Sequence, residues 1–375
     1  MNIPRIYDDL NKYLKPNKAL ILYGSRQVGK TTLLNKFLSQ TSYRYKLDSG
    51  DNIKTQNVLG SRDFALIKEY AQGYDLIAVD EAQKIPSVGT GIKIIVDQMP
   101  GVMVIATGSS SFELAGQIGE PLTGRKNTLA LYPISQLELI KLHNRCELKD
   151  RLEDFLVFGA YPEVVTAESK IDKIRIIEEI SQSYLFKDIL QLDKIRNSKI
   201  LLDLVRLLAF QIGNEVSLSE IAKQLGIDYK TVGRYLDLLE KSFIIYNLRG
   251  FSRNLRSEII KKSKYYFIDN GIRNAIISNF NSLELRNDIG ALWENFLFIE
   301  RLKKRTYKNI YANNYFWRTW TQKEIDLVEE RDGKLFAFEF KWGKTRVKPP
   351  KDWVQAYPES EFMVINQENY LDFIT

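Results

Sequence analysis

Cysteine and histidine are almost absent from the 375-residue chain, which contains one of each, Cys146 and His143. A single cysteine excludes an internal disulfide framework and suits a reducing, intracellular setting. A single histidine excludes every site that needs two histidine ligands, and one histidine with one cysteine is too few for structural zinc. Both residues lie in a polar, helix-like segment, so we expect structural or surface roles for them.

Long apolar runs are lacking as well. No stretch reaches the roughly 18 apolar residues that a membrane-spanning helix requires. The first ten residues lack the apolar core of a secretory signal peptide. We therefore expect a cytoplasmic protein without a membrane partner. The composition, 44% hydrophobic and 27% charged, is that of globular domains. The net charge of +7 mildly favours a polyanionic partner, although solubility explains such an excess equally well.

The pattern of apolar residues predicts two fold classes along the chain. Residues 1–132 contain five short apolar runs with helix-like segments between them, which predicts an α/β domain with a parallel sheet. The runs are residues 19–23, 43–47, 76–79, 102–106 and 128–132. Residues 133–194 have helical periodicity and predict a helical lid or linker. Residues 195–284 predict shorter helices followed by two strands, and residues 285–375 predict an α+β domain.

The string Gly24-Ser-Arg-Gln-Val-Gly-Lys-Thr31 fits the P-loop pattern G-x-x-x-x-G-K-[ST] and lies between a predicted strand and a predicted helix. Glycines let backbone N–H groups curl around phosphates, a lysine supplies charge to the β- and γ-phosphates, and the hydroxyl can ligate Mg²⁺. A chance glycine loop is the alternative. The motif predicts an ATP and Mg²⁺ site formed by Gly24, Gln27, Val28, Gly29, Lys30, Thr31 and Thr32.

Two carboxylates, Asp80 and Glu81, follow the apolar run 76–79. At the carboxyl end of a parallel strand, where such sheets bind ligands, Asp80 would hold Mg²⁺ and Glu81 would polarise the attacking water. A solvated turn is the alternative. Ser109 follows the next run and would sense the γ-phosphate, unless it caps a helix. Arg125 would act as an arginine finger in its own or a neighbouring subunit, unless it is a surface arginine.

Several strings in this order resemble the prokaryotic AAA-family ATPases that carry a C-terminal domain of unknown function with a restriction-endonuclease-like core. Besides the P-loop they are Val79-Asp-Glu-Ala-Gln83, Ala106-Thr-Gly-Ser-Ser-Ser111, Leu122-Thr-Gly-Arg125, Leu131-Tyr-Pro133 and Gly159-Ala-Tyr-Pro-Glu163. The second position of the last string is more often Gly in that family. The resemblance covers nearly the whole chain and implies an ATPase core, a helical and winged-helix region, and a nuclease-like domain.

Residues 217–239 predict two short helices that turn at Gly226, as in a helix-turn-helix. Ser217 or Ser219 would cap the first helix and Asp228 the second. The two strands that follow would form a wing with a basic tip. A winged helix that contacts only proteins is the alternative. The candidate DNA contacts are Tyr229, Lys230, Arg234, Arg253, Arg256, Lys261 and Lys262.

Three polar residues of the last domain, Asp326, Glu339 and Lys341, lie on two neighbouring predicted strands, and Glu294 lies on the preceding helix. The arrangement resembles the PD-(D/E)xK nuclease core. It predicts a metal site of Glu294, Asp326 and Glu339 with Lys341 as the catalytic partner. A solvated strand with an ion pair is the alternative.

Together the motifs predict an Mg²⁺-dependent ATPase that couples its nucleotide state to DNA binding, with metal-dependent DNA cleavage as an added hypothesis. The alternative is a slow ATP-dependent switch or scaffold that acts on protein partners and has a non-catalytic nuclease-like domain. A motor that translocates along DNA would need a ring or a second motor domain, and the sequence has one P-loop motif.

Overall fold

The computed structural model describes residues 3–108, 121–183, 198–251, 263–319, 321–343 and 347–375. The chain divides into two compact units. We call Pro4–Tyr132 with Lys241–Phe243 the N-terminal unit, and Met1–Ile3, Pro133–Glu240 and Ile244–Thr375 the C-terminal unit. Within the described ranges, none of the helices has the length and apolar character needed to cross a membrane.

A sheet of five parallel strands forms the centre of the N-terminal unit, in the order β2-β3-β4-β1-β5. The strands are β1 (Ala19–Gly24), β2 (Tyr45–Ser49), β3 (Leu76–Asp80), β4 (Met103–Gly108) and β5 (Lys126–Leu131). They coincide with the five apolar runs, so the predicted parallel α/β domain is confirmed. Because the strands are parallel, their carboxyl ends meet at one edge of the sheet.

Helices of the N-terminal unit cover this sheet with aliphatic side chains. They are α1 (Lys30–Leu38), α2 (Ile53–Leu59), α3 (Phe64–Ala71) and α4 (Val88–Gln98), with short 3₁₀ turns at Leu10–Lys12 and Ala82–Lys84. Asn52 and Asp63 cap α2 and α3, since their side-chain oxygens accept backbone N–H groups of the first turn. Ile77, Ile92 and Val104 belong to the fully buried core of this unit.

After Tyr132 the described chain is helical over most of its middle part. Its helices are α5 (Gln136–Leu139), α6 (Arg145–Asp150), α7 (Leu152–Phe158), α8 (Pro162–Thr166), α9 (Lys170–Ser183), α10 (Ser198–Phe210), α11 (Leu218–Leu225), α12 (Tyr229–Lys241), α13 (Asn270–Ile276), α14 (Ile289–Tyr307), α15 (Lys351–Ala356) and α16 (Tyr370–Ile374). A 3₁₀ turn covers Leu283–Leu285.

The strands of the C-terminal unit belong to one mixed sheet in the order β12-β11-β10-β9-β7-β8-β6. They are β6 (Glu215–Val216), β7 (Ile245–Gly250), β8 (Ser263–Phe267), β9 (Asn313–Arg318), β10 (Glu324–Arg331), β11 (Lys334–Phe340) and β12 (Glu361–Ile365). β7 pairs in parallel with β9, where Arg249 lies opposite Tyr315. A single sheet therefore runs through the two predicted segments 195–284 and 285–375.

The string Gly159-Ala-Tyr-Pro162 follows α7 and packs closely against Asp269, just before α13. Gly159 has φ +78°, and a Cβ at this position would lie 1.9 Å from Oδ1 of Asp269. The N–H of Ala160 donates a 2.7 Å hydrogen bond to Oδ2 of the same carboxylate. Burial raises the pKa of Asp269. Glycine is needed at position 159 because both the backbone conformation and the close approach exclude a side chain.

Candidate functional site

The P-loop connects the end of β1 to the start of α1, and its two glycines meet different requirements. Gly24 has φ +149°, and a Cβ there would lie 1.9 Å from the backbone oxygen of Leu131 on β5. Gly29 has φ +92° and forms the N-cap of α1, and an added Cβ there would meet only the Arg5 side chain, at 3.9 Å. Gln27 also has a positive φ, of 55°. The pattern of two glycines with four residues between them thus follows from packing at one end and from helix initiation at the other.

Lys30 is the first residue of α1, and its side chain folds back over the loop. Its Nζ donates hydrogen bonds to the backbone oxygens of Gly24, at 3.1 Å, and of Ser25, at 2.6 Å. Only 5% of the residue is exposed. Thr31 and Thr32 follow in the exposed first turn of α1, whose N-terminus carries partial positive charge. Val28 is fully buried, and its backbone oxygen accepts a 2.6 Å hydrogen bond from Arg5.

Side chains from three elements meet at the carboxyl edge of the parallel sheet. The hydroxyl of Thr31 on α1 donates a 2.9 Å hydrogen bond to Oδ2 of Asp80, the last residue of β3. The hydroxyl of Thr107 on β4 donates to the other carboxylate oxygen of Asp80. The predicted residues Thr31 and Asp80 are therefore brought together, although 49 positions separate them in the sequence.

Glu81 follows Asp80 and has a left-handed backbone conformation, with φ 51°. Its N–H donates a 3.2 Å hydrogen bond to the Thr107 hydroxyl, so Thr107 contacts both acidic residues. The carboxylate of Glu81 accepts a 2.7 Å hydrogen bond from Nε2 of Gln83, and Gln83 itself is buried. The Glu81 side chain is thereby oriented by a neighbour rather than left to rotate freely.

A second arrangement lies in the C-terminal unit, where α10, β6, α11, α12, β7 and β8 follow one another. Ser217 caps α11 through Glu220 N–H, and Gly226 ends this helix with φ +65°. Asp228 accepts the N–H of Lys230 at the start of α12. Tyr229, Lys230 and Arg234 are exposed on α12, while its apolar face is buried. Arg253, Arg256, Lys261 and Lys262 lie outside the described residues.

The third arrangement is a cluster of charged groups between α14, β8, β10 and β11, which we call the carboxylate cluster. Lys264 on β8 is 1% exposed. Its Nζ lies 3.0 Å from Oε1 of Glu294 on α14 and forms a second ion pair with Glu324 on β10. The hydroxyl of Tyr266 donates a 2.6 Å hydrogen bond to the same oxygen of Glu294.

The other half of the carboxylate cluster consists of Asp326, Glu339 and Lys341. Oδ2 of Asp326 accepts a 2.7 Å hydrogen bond from the N–H of Phe340. Oε1 of Glu339 lies 2.7 Å from Nζ of Lys341. Burial raises the pKa of Asp326 well above its usual value, and the carboxylates of Glu294 and Glu339 add to this rise. Burial also raises the pKa of Glu339, although Lys341 opposes the rise.

The metal role predicted for Glu294, Asp326 and Glu339 stays a prediction, since the polar contacts shown for them are with lysines, a tyrosine hydroxyl and a backbone N–H. In the part of the chain that the structure describes, no group of three or more acidic, histidine or cysteine side chains is arranged to hold a metal ion. One Glu294 oxygen already contacts two donors, and a lysine accompanies each half of the cluster. The residues come together as predicted, and Glu294 and Glu339 each form an ion pair with a lysine.

Residues 16–140 match the AAA domain family. Residues 149–283 and 289–371 match two domains of unknown function, DUF8612 and DUF4143. The AAA match and the P-loop geometry support an AAA-type ATP-binding domain in the N-terminal unit.

Relatives along most of the chain are uncharacterized proteins. One from Mycobacterium tuberculosis is 27% identical over 336 residues, and the alignment covers 88% of this chain and 72% of that protein. One from Methanocaldococcus jannaschii is 25% identical and covers 85% of this chain and 74% of its own length. A solved STAND-type signal transduction ATPase from Pyrococcus horikoshii aligns with 14% identity and a TM-score of 0.29. This chain spans about half of that structure, since the alignment covers 80% of this chain and 46% of that one.

Two predicted residues of the AAA domain have a different outcome. Ser109 lies outside the described residues, and Thr107, two positions earlier, is the polar residue that contacts Asp80. Thr107 stands in the same polar run, directly after the predicted strand 102–106. Side chains alternate between the two faces of a strand, and this alternation was the signal that could have identified Thr107. Sequence reasoning missed it by choosing a residue beyond the strand end.

Arg125 lies at the opposite edge of the sheet from the P-loop. Its backbone oxygen accepts the N–H of Ala19, the first residue of β1, whereas the P-loop follows Gly24 at the other end. Five residue steps of about 3.3 Å separate these ends by about 16 Å. Nε of Arg125 is 2.5 Å from Oδ1 of Asp97. This placement does not support the predicted action on the nucleotide of its own subunit, and action on a neighbouring subunit stays a prediction.

Proposed function

We propose that this protein binds ATP with Mg²⁺ in the N-terminal unit and hydrolyses it. The observation that carries the proposal is the 2.9 Å hydrogen bond from Thr31 to Asp80. It joins the P-loop to the acidic end of β3 at the edge where parallel sheets bind ligands. Lys30 borders the same loop, and the AAA domain match over residues 16–140 supports the same activity.

The donor set at this edge fits Mg²⁺, because hydroxyl and carboxylate oxygens are the ligands that this ion prefers. Thr31 and Asp80 would hold it, and bound Mg²⁺ would supply positive charge to the phosphate oxygens. Lys30 would exchange its backbone partners for the β- and γ-phosphates. Glu81, which Gln83 orients, would position the attacking water, and Thr107 would keep Asp80 and Glu81 in fixed relation.

We further propose that nucleotide state is coupled to DNA binding through the C-terminal unit. The order α10-β6-α11-α12-β7-β8, with β7 and β8 antiparallel, supports a winged helix-turn-helix. Tyr229, Lys230 and Arg234 are exposed near the start of α12, where a recognition helix would meet base edges and phosphates. Asp228 and Asp237 on the same surface dilute its positive charge, which favours the alternative, a switch that acts on protein partners.

Steady-state ATP hydrolysis tests the first proposal. The rate is measured with and without duplex DNA, and Lys30→Ala provides the blank. We expect hydrolysis that requires Lys30 and increases with DNA. A Lys30-dependent rate that is indifferent to DNA would leave the ATPase proposal intact and favour the protein-partner switch. A rate unchanged by Lys30→Ala would contradict the proposed ATP site.

Salt-dependent DNA binding tests the second proposal separately. Anisotropy of a labelled duplex is measured between 50 and 200 mM KCl for the full chain and for Lys230→Glu with Arg234→Glu. Each lost phosphate contact lowers the slope of log K against log salt by about 0.9. Lys12→Glu with Lys15→Glu, at two exposed lysines of the N-terminal unit, makes the same change in net charge and is the control. Equal slopes for the control and the double variant would contradict the DNA proposal.

A further inference from the structure

Lys264 is an unusually enclosed lysine, and its charge is balanced from two sides. It is 1% exposed, yet its ammonium group contacts the carboxylates of Glu294 and Glu324. These two ion pairs place the ammonium group inside the carboxylate cluster.

We propose that the Lys264 ammonium is the resident cation of the carboxylate cluster and takes the place of a divalent metal ion. Its hydrogen bond goes to Oε1 of Glu294, and the Tyr266 hydroxyl donates to the same atom. This carboxylate oxygen thus already has two donors, whereas a metal ion needs short, regularly arranged ligands.

The remaining carboxylates also favour this assignment. Glu339 is paired with Lys341 at 2.7 Å, so this carboxylate too has an ammonium group as its partner. A divalent ion would have to compete with these lysines for the carboxylates. Asp326 gives one oxygen to a backbone N–H. The cluster therefore joins β8 to α14 and β10 through ion pairs, and the unit that contains it would not perform metal-dependent cleavage.

Manganese binding by the full-length chain tests this assignment without nucleotide present. Mn²⁺ takes the oxygen ligands that Mg²⁺ takes, and its EPR signal reports the free ion. The native chain and Asp326→Asn are titrated with MnCl₂. We expect identical titrations, since under this assignment Lys264 rather than a metal ion neutralises the cluster. A site filled below about 1 mM in the native chain and lost in Asp326→Asn would overturn the proposal.

Removal of the ammonium group is the converse test. Lys264→Met should lower the melting temperature, because it leaves buried carboxylates without their cation. MnCl₂ should restore part of the loss, and Asp326→Asn should abolish that rescue. Lys303→Met is the matched control, since Lys303 is equally buried and pairs with Glu300 at 2.7 Å. A Lys264→Met chain as stable as the native one would contradict the proposal. If this variant does not fold, the native and Asp326→Asn titrations still decide.

Discussion

Thr107 holds Asp80 from the neighbouring strand, since its hydroxyl donates to the carboxylate oxygen that Thr31 does not use. The same hydroxyl oxygen accepts the N–H of Glu81 at 3.2 Å. The hydroxyl oxygen of Thr107 thus links the ends of β3 and β4 by hydrogen bonds at the proposed hydrolysis site. This contact makes Thr107 a positioning residue for both acidic side chains.

Thr107→Val should reduce ATP hydrolysis by about 10- to 100-fold, because it removes a hydrogen bond to a charged group while keeping the volume of the side chain. ATP affinity should change much less, since Lys30 and the P-loop backbone are untouched. Steady-state kinetics and nucleotide titration measure the two effects. Thr107→Ser keeps the hydroxyl and should restore most of the rate. If Thr107→Ser is as slow as Thr107→Val, the hydroxyl is not the cause.

Arg125→Ala should leave the ATP affinity unchanged within about twofold, because separated sites with no shared partner act independently. Arg125 forms an ion pair with Asp97 at the sheet edge away from the P-loop. Titration with a fluorescent ATP analogue measures the affinity at a protein concentration where the chain is monomeric. Asp97→Ala is the matched control, since it breaks the same ion pair from the other side. A tenfold loss confined to Arg125→Ala would contradict the placement.

Gly159→Ala should lower the free energy of unfolding by about 3 kcal/mol or more, since it combines backbone strain with a collision against a buried carboxylate. Gly333→Ala is the matched control. Gly333 has φ +73°, close to the +78° of Gly159, but nothing lies within 4 Å of its added Cβ. The control should therefore lose about 1 kcal/mol, the cost of the left-handed backbone alone. Denaturant unfolding measures both, and equal losses would show that the collision with Asp269 does not matter.

Lys304 should titrate near pH 8. Burial and the nearby charges of Arg301 and Lys308 lower the pKa of Lys304 to about 8. The folded chain disfavours its charged form, so this lysine lowers the free energy of unfolding below pH 8. That loss disappears as the pH rises from about 8 to about 10, where the unfolded chain also releases the proton. Competitive acetylation with mass spectrometry gives the midpoint, and Lys304→Arg identifies the peptide. A midpoint near 10.5 would contradict this expectation.

The nucleotide site was largely predictable because its signals are local. Gly24, Gly29 and Lys30 form one short string, and Asp80 marks the end of an apolar run. The position of each residue follows from the strand or helix to which it belongs. The parallel sheet then brings the ends of the strands together. Arg125 shows the limit of this reasoning, because its distance from the P-loop depends on which end of β5 it occupies.

The carboxylate cluster was predictable only in part. The alternation of β10 and β11 brings Asp326 and Glu339 together, and the sequence pattern predicts this. Lys264 lies 30 positions before Glu294, and its contact requires α14 to pack against β8, where Oδ1 of Asn295 accepts the N–H of Phe267. That packing has no local signature in the sequence, because it joins a strand and a helix that are far apart along the chain. The pattern of acidic residues therefore indicated the carboxylates of the cluster but not the lysine that contacts Glu294.

The parallel pairing of β7 with β9 determines how this chain can be divided in experiments. Gly250 and Phe316 lie opposite each other there, and the N–H of Phe251 donates to the oxygen of Phe316 at 2.6 Å. A fragment that ends before α14 would keep β8 on one side of β7 but leave its other edge without the neighbouring strand β9. Exposed edges of this kind recruit other chains and promote aggregation. An isolated segment of residues 195–284 would thus tend to aggregate through the exposed edge of β7 rather than act as a DNA-binding module. A DNA affinity measured on this segment would reflect that exposed edge.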